Sequence, residues 1–306
     1  MDTNYHIPVM LQECIEGLNI NPDGIYVDVT FGGGGHSKAI LQKLSSKGRL
    51  IAFDQDADAA KNLPDDPRIT FYQTNFRYFA NFLQLENVKA DGIIADLGVS
   101  SHHFDDEKRG FSFRFEDSPL DMRMNQKSDF TASALLCTYT EQQLREVFAE
   151  YGEIKNAYKL AQNIVKYRSS HSILTTANLI EAAGACIPAH DRNKYLATLF
   201  QALRIEVNGE IDVLEEFLLS TPDAVADGGR LVIMTYHSLE DRPVKNFIKA
   251  GNLQGIEQKD VYGNIIAPFT AVNRKVITPS QQELDTNTRS RSAKLRIAQK
   301  NVLTTQ

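Results

Sequence analysis

The chain has 306 residues, 42% of them hydrophobic and 24% charged, with a net charge of −6. That length and composition support about two domains, or one with a large insertion, around a full-sized core, and they exclude bulk disorder. The negative balance excludes a protein that coats nucleic acid by overall positive charge, and no apolar run approaches the roughly 18 residues of a membrane span.

The opening residues, MDTNYHIPVM, lack a basic stretch followed by an apolar one, so no secretory signal is expected. Ile25–Thr30 (IYVDVT) is a β-branched run that enters four glycines. A helical stretch over Ser37–Leu44 follows, with Gly48 placed to stop it. Arg49–Asp54, Ile69–Thr74 and Ile93–Leu97 read as further buried strands. Strands alternating with helix-length segments predict βαβ units and a parallel sheet. From about Phe104 the pattern changes. Asp105–Asn125 has no clear period, and helical signals then dominate. Thr140-Glu-Gln-Gln143 is a capping box with Gly152 as a stop, Ala157–Val165 carries one apolar face, and Tyr195–Leu219 reads as one helix. Strand character returns at Arg230–Tyr236 after Asp227-Gly-Gly, and again at Lys275–Thr278 and Ala293–Ala298. The expected architecture is a doubly wound α/β sheet from residues 1–104 and 216–306, interrupted by a helical insertion over 105–215. Cys14, Cys137 and Cys186 are widely spaced with no CxxC pair. They predict core filler in a reducing cytoplasm rather than disulfides or a zinc site.

The strongest local signal is VDVTFGGGGHS, Val27–Ser37. Glycine lets main chain approach a ligand closely, and the following helix start offers free N–H groups. Asp54 ends the next strand, where a carboxylate suits ribose hydroxyls. The loop serves NAD, FAD or S-adenosylmethionine alike. Ser37 stands where both the Walker A pattern and GxGxxG need glycine. Asp28 either receives the amino-acid end of a cofactor or orders the loop. His36 reads as a helix-start side chain, and Asp56 and Asp58 as solvated helix-start charges.

Asp96 stands at the carboxyl end of the fourth strand, where open α/β sheets place ligands. Two readings stay open there: an acceptor for an exocyclic amine or a cofactor, and a cap on the turn Leu97–Ser101. His102-His103 with Asp105-Asp106 fits no standard zinc spacing, and His237, Glu240 and Asp241 would have to join it in three dimensions; no metal is expected. Arg109-Gly-Phe-Ser-Phe-Arg114 interleaves cations with aromatics. Phe111 and Phe113 either stack on a splayed base or anchor the loop on the core. Residues 271–306 hold seven cations and two anions, a local balance of +5 that leaves −11 on the rest. Within them Thr288–Arg296 (TRSRSAKLR) is the stretch best suited to phosphates, through Arg289, Arg291, Lys294 and Arg296.

Taken together, these residues resemble the bacterial small-subunit rRNA cytosine N4-methyltransferases, the MraW/RsmH family. The matching blocks run in order from His6-Ile-Pro-Val9 through VDVTFGGGGHS, DLGVSS (Asp96–Ser101), RGFSF (Arg109–Phe113), PLDMRM (Pro119–Met124) and YGE (Tyr151–Glu153). They continue through FQALRIEVN (Phe200–Asn208), HSLEDR (His237–Arg242) and RSRSAKLR (Arg289–Arg296). The resemblance implies a class I S-adenosylmethionine-dependent methyltransferase fold with an inserted helical domain. It implies a cytoplasmic enzyme of ribosome biogenesis that methylates N4 of a cytidine in the P-site region of 16S rRNA, with no membrane and no obligate protein partner. Carried onto this chain, the cofactor contacts fall on Gly34, Gly35, His36, Asp54, Phe76, Asp96 and His103. The family commonly has Pro-Gln where His102-His103 stands, and His-Pro-Ala before a basic residue and Arg where His190–Leu199 differs. The rival expectations are an NAD-linked oxidoreductase on the same sheet and a non-catalytic ribosome-assembly factor.

Overall fold

A computed structural model describes residues 8–98 and 106–302. Its first half runs α1 (Leu11–Leu18), β1 (Ile25–Asp28), α2 (Gly35–Lys43), β2 (Arg49–Asp54), β3 (Ile69–Gln73), α3 (Phe79–Leu85) and β4 (Ala90–Asp96). A helical stretch follows: α4 (Ala132–Thr138), α5 (Glu141–Glu150), α6 (Ala157–Arg168), α7 (Thr176–Ala183) and α8 (Arg192–Asn208). The chain then forms α9 (Glu210–Ala224), β5 (Val225–Thr235), α10 (Ser238–Ala250), β6 (Phe269–Ala271), α11 (Gln281–Thr286) and β7 (Lys294–Lys300). Contacts divide the chain into two compact units, Met1–Gly98 with Ile211–Gln306, and Val99–Glu210. No helix among the described residues is long and apolar enough to cross a membrane.

The first unit holds one seven-stranded sheet among the described residues, in the order β3-β2-β1-β4-β5-β7-β6. The strands from β3 to β5 are parallel, and β7 joins antiparallel to both β5 and β6. Strand side chains alternate between faces, so a sheet covered on both sides reads as continuous apolar runs. Val27, Ile51, Phe53, Ile93, Leu231 and Ile233 pack on one face with Phe79, Phe217 and Phe247 from α3, α9 and α10. Tyr26, Leu50, Ile94, Val232 and Met234 pack on the other with Cys14, Leu18 and Ile40 from α1 and α2. Each such fully buried Leu, Ile or Phe contributes about 1.5–3 kcal/mol relative to exposure. The doubly wound sheet expected from the sequence is therefore present.

The second unit closes its own core through α4 to α8, with Leu135, Phe148, Leu160, Leu179 and Leu199 among its buried residues. The Thr140 capping box forms: its hydroxyl accepts from the Gln143 N–H and the Gln143 side chain returns to the Thr140 N–H. The helix expected over Tyr195–Leu219 is two helices. Gly209 adopts φ +59° and its N–H bonds to Glu206 O and Ile205 O, which ends α8 before α9 begins. Helical apolar spacing on both sides hides that break, which only the glycine marks. Of the expected tail strands, Lys275–Thr278 shrinks to a single bridge between Ile277 and Leu295, and Ala293–Ala298 becomes β7. Cys14 and Cys186 are buried filler, whereas Cys137 is exposed.

Candidate functional site

The carboxyl ends of β1, β2, β4 and β5 carry the chemistry of the first unit. β1 leaves the sheet at Asp28 and turns through the glycines into α2. Gly32 and Gly34 hold φ +49° and +74°, in the left-handed region where a Cβ is costly. A Cβ on Gly34 would also lie 2.9 Å from Cζ of Phe31. Gly34→Ala is expected to cost about 1–2 kcal/mol from the backbone alone. Thermal unfolding should show a fall of roughly 2–8 °C. Gly35 has a different reason. Its missing Cβ admits Pro8, whose Cγ would otherwise stand 2.2 Å away.

Asp28 is buried, and it orders this loop. The Ser37 hydroxyl donates to its Oδ2 at 2.7 Å and the Thr30 N–H to its Oδ1 at 3.1 Å. Burial raises its pKa, against the pull of Ser37, His36 and Thr30. Ser37, the residue that breaks both glycine patterns, thus ties α2 to the end of β1. Asp54 ends β2. Its Oδ2 accepts the Gly32 N–H and its Oδ1 the Asp56 N–H, each at 2.8 Å. Asp56 is itself buried, not solvated, and caps the Asp58 N–H. Phe76 follows β3 in a short helical turn and meets Phe217 edge-on at 5.5 Å.

Asp96 ends β4 directly beside these groups. Its N–H donates to the Thr30 hydroxyl at 2.7 Å, which links it to the Asp28 end of β1. Its side chain remains 24% exposed. The Tyr236 hydroxyl donates to Oδ1 at 2.7 Å, and His36 Nδ1 lies 3.8 Å from Oδ2. His36 Nε2 sits 3.2 Å from Val9 O. A carbonyl only accepts, so Nε2 donates to Val9 and Nδ1 is the ring atom that faces Asp96. Burial raises the Asp96 carboxyl to about 6; His36 and the Tyr236 bond oppose the rise, and Asp28 and Glu240 add to it. The turn on which the capping reading rests extends past Gly98 into residues outside the described ones. His103 lies outside the described residues.

The HSLEDR block starts α10. Glu240 is buried and accepts the Tyr236 N–H at 2.8 Å, with His237 Nε2 3.1 Å from its other oxygen. Asp241 does not join them. It receives the Arg296 guanidinium at 2.8 and 3.1 Å and Lys294 at 3.5 Å. Burial would raise the Asp241 pKa, but these two cations hold it below the ordinary value. The expectation that Arg296 meets a phosphate thus competes with a partner inside the chain. Its fork is already committed to a carboxylate of its own chain, and it braces β7 against α10. Arg289 and Arg291 are exposed on the helical turn before β7.

The expectation that Phe111 stacks on a base is corrected. Its ring is 3% exposed and belongs to the core of the second unit. Phe113 packs on that core and meets Phe200 edge-on at 5.7 Å. Their alternation with cations reflects a loop anchored by aromatics. Tyr236 and Thr30 were not singled out in the sequence, and Glu240 was weighed there only as a metal ligand. The signal available for Tyr236 was its place at a strand end immediately before HSLEDR.

A family model described as the MraW methylase family matches residues 3–301. The chain is 55% identical over 301 residues to Ribosomal RNA small subunit methyltransferase H of Parabacteroides distasonis, covering 98% of each chain. It is 53% identical over 300 residues to the protein of that name from Bacteroides fragilis, again covering 98% of each. With that of Flavobacterium johnsoniae it shares 53% identity over 297 residues, 97% of this chain and 98% of the other.

Proposed function

The chain belongs to the MraW methylase family, and from that membership we propose that it transfers a methyl group from S-adenosylmethionine to N4 of a cytidine in the P-site region of 16S rRNA. The substrate is the small ribosomal subunit or its late precursor. The observation that carries the reading is the Asp96 carboxylate, partly exposed at a strand end and set beside the glycine loop by Thr30.

The residues present fit the donor. Its sulfonium and ammonium make it a net cation, and Asp28, Asp54 and Asp96 place three carboxylates at the ends of β1, β2 and β4. The loop at Gly32 and Gly34 has no side chains between main chain and ligand, and Gly34, Gly35 and His36 begin the helix that flanks it. Asp54 is fixed by two main-chain N–H groups, and a carboxylate offers about four acceptor sites, so it can hold ribose hydroxyls as well. Phe76 supplies an apolar surface for the adenine.

When bound, S-adenosylmethionine supplies an electrophilic methyl group. Transfer is an in-line displacement, so the protein's main task is positioning. The N4 lone pair of cytosine is delocalised into the ring. An acceptor that takes an amine N–H turns that lone pair toward the methyl, and Asp96 is that acceptor. The amine proton becomes acidic only as the N–C bond forms, so a carboxylate with a pKa near 6 is a sufficient proton acceptor. The base must leave its stack to reach this site. Arg289 and Arg291 hold flanking phosphates, with Lys294 contributing charge from the same segment.

This role fixes a pH dependence. The ionised form of Asp96 is the active one, and it is lost as pH falls through about 6. The kcat/KM for rRNA is expected to be level above about pH 7 and to fall roughly tenfold per unit below about pH 5. The assignment as a whole is tested by incubating the protein with methyl-labelled S-adenosylmethionine and immature small subunits. Label in 16S rRNA supports it. Label in protein, or none, overturns it in favour of another methyl acceptor or a non-catalytic assembly role.

A further inference from the structure

Tyr236 is a buried-end tyrosine with an unusual set of fixed neighbours. It follows β5, whose Met234 pairs with Asp96 across the sheet, so the two residues share one strand end. Its main-chain N–H is held by the buried Glu240 carboxylate, and its ring lies against Gly98, where even a Cβ would come within 3.1 Å of Cδ2. Both restraints fix the direction of the phenol, which donates to Asp96 Oδ1 at 2.7 Å. Burial and the adjacent Asp96 charge push the phenol far above the ordinary tyrosine range, so it stays a donor at every working pH.

We propose that Tyr236 is a positioning residue for methyl transfer: its hydroxyl occupies Oδ1 of Asp96, fixes the carboxylate rotamer and leaves Oδ2 to receive the amine. The proposal rests on the reading of Asp96 given above and adds the group that aims it. It also gives the HSLEDR block a task, since Glu240 clamps Tyr236 while Asp241 ties α10 to Arg296 on β7. Among the described residues, these charged and titratable groups act on the pair. Asp28 from β1, His36 from α2 and Glu240 from α10 act on Asp96, and Cys14 from α1 and Glu240 act on Tyr236. Of these, the Tyr236 bond and His36 favour the Asp96 carboxylate, while Asp28 and Glu240 oppose it. Removing the hydroxyl therefore raises the pH at which Asp96 ionises.

Tyr236→Phe keeps the ring against Gly98 and deletes only the donor. Two readouts are taken on the full-length protein: the carbon-13 carboxyl titration of Asp96, assigned with Asp96→Asn, and the pH profile of kcat/KM for rRNA. The expected result is an upward move of about one pH unit in both. Activity would then fall about tenfold on the acid limb and recover most of the loss above about pH 8. An unmoved carboxyl titration overturns the proposal whatever the substrate is. A titration that moves while the rate profile stays put overturns it through the reading on which it rests, because Asp96 would then not be the group that limits transfer. A uniform loss at every pH, with no displaced limb, also overturns it.

Discussion

Asp96→Asn is expected to lower the single-turnover rate of methyl transfer by about 10³-fold and, at the same time, to raise thermal stability at pH 8. The rate loss follows from the charge. Asparagine keeps the shape and can still accept the Tyr236 hydroxyl, but it neither attracts the amine N–H groups strongly nor takes the proton released after transfer. Removing one positioned acid–base or electrostatic group typically costs 10²–10⁴-fold. The stability gain follows from linkage. Burial puts the Asp96 carboxyl at about 6 in the folded chain, above the ordinary 3.9 or so of an unfolded aspartate. A raised carboxylate pKa means that folding is opposed more as pH rises from the unfolded value through the folded one. Above about pH 7 the ionised group costs the fold about 1–3 kcal/mol. Its neutral isostere removes that cost. Single-turnover kinetics and thermal unfolding on one preparation check both halves. A variant that is slow and also less stable would mean that Asp96 serves the fold rather than the reaction.

The second large effect belongs to Asp54. Asp54→Ala is expected to weaken S-adenosylmethionine binding about 100-fold by calorimetry, while the rate at saturating cofactor changes by less than about tenfold. Two contributions add. Hydrogen bonds from ribose hydroxyls to a charged acceptor are worth about 1.5–3 kcal/mol in total effect. The Gly32 and Asp56 N–H groups also lose their acceptor, which loosens the loop that meets the cofactor. Asp54→Asn retains acceptors for one of these groups and should fall between wild type and alanine. Loss of kcat with unchanged affinity would move Asp54 from the cofactor to the reacting groups.

Much of the first unit was legible because β-strand burial leaves a local mark. Arg49–Asp54 was bounded to the residue, since four apolar residues, Leu50 to Phe53, begin two positions after a glycine stop and run into a carboxylate. Asp54 and Asp96 were singled out for the same reason, each being the first polar residue after a buried run. What was not legible depends on contacts far apart in sequence. Tyr236 reaches Asp96 across 140 positions. Nothing local distinguishes it from any aromatic at a strand end until the β4–β5 pairing is known. Arg296 was read as a phosphate ligand because its neighbours are basic. Its partner in the fold, Asp241, is 55 positions away. Phe111 failed differently. An aromatic beside arginines has the same sequence pattern whether it faces RNA or a core, and burial decides between them.

The central claim is that the methyl group goes to the exocyclic nitrogen of cytidine. It is tested most directly by digesting 16S rRNA to nucleosides after reaction with deuterated-methyl S-adenosylmethionine and locating the label by mass spectrometry. The account predicts a deuterated methyl on cytidine N4, in a fragment from the P-site region, absent from the Asp96→Asn reaction. A label on the ribose, on a ring carbon or on any other base would contradict it.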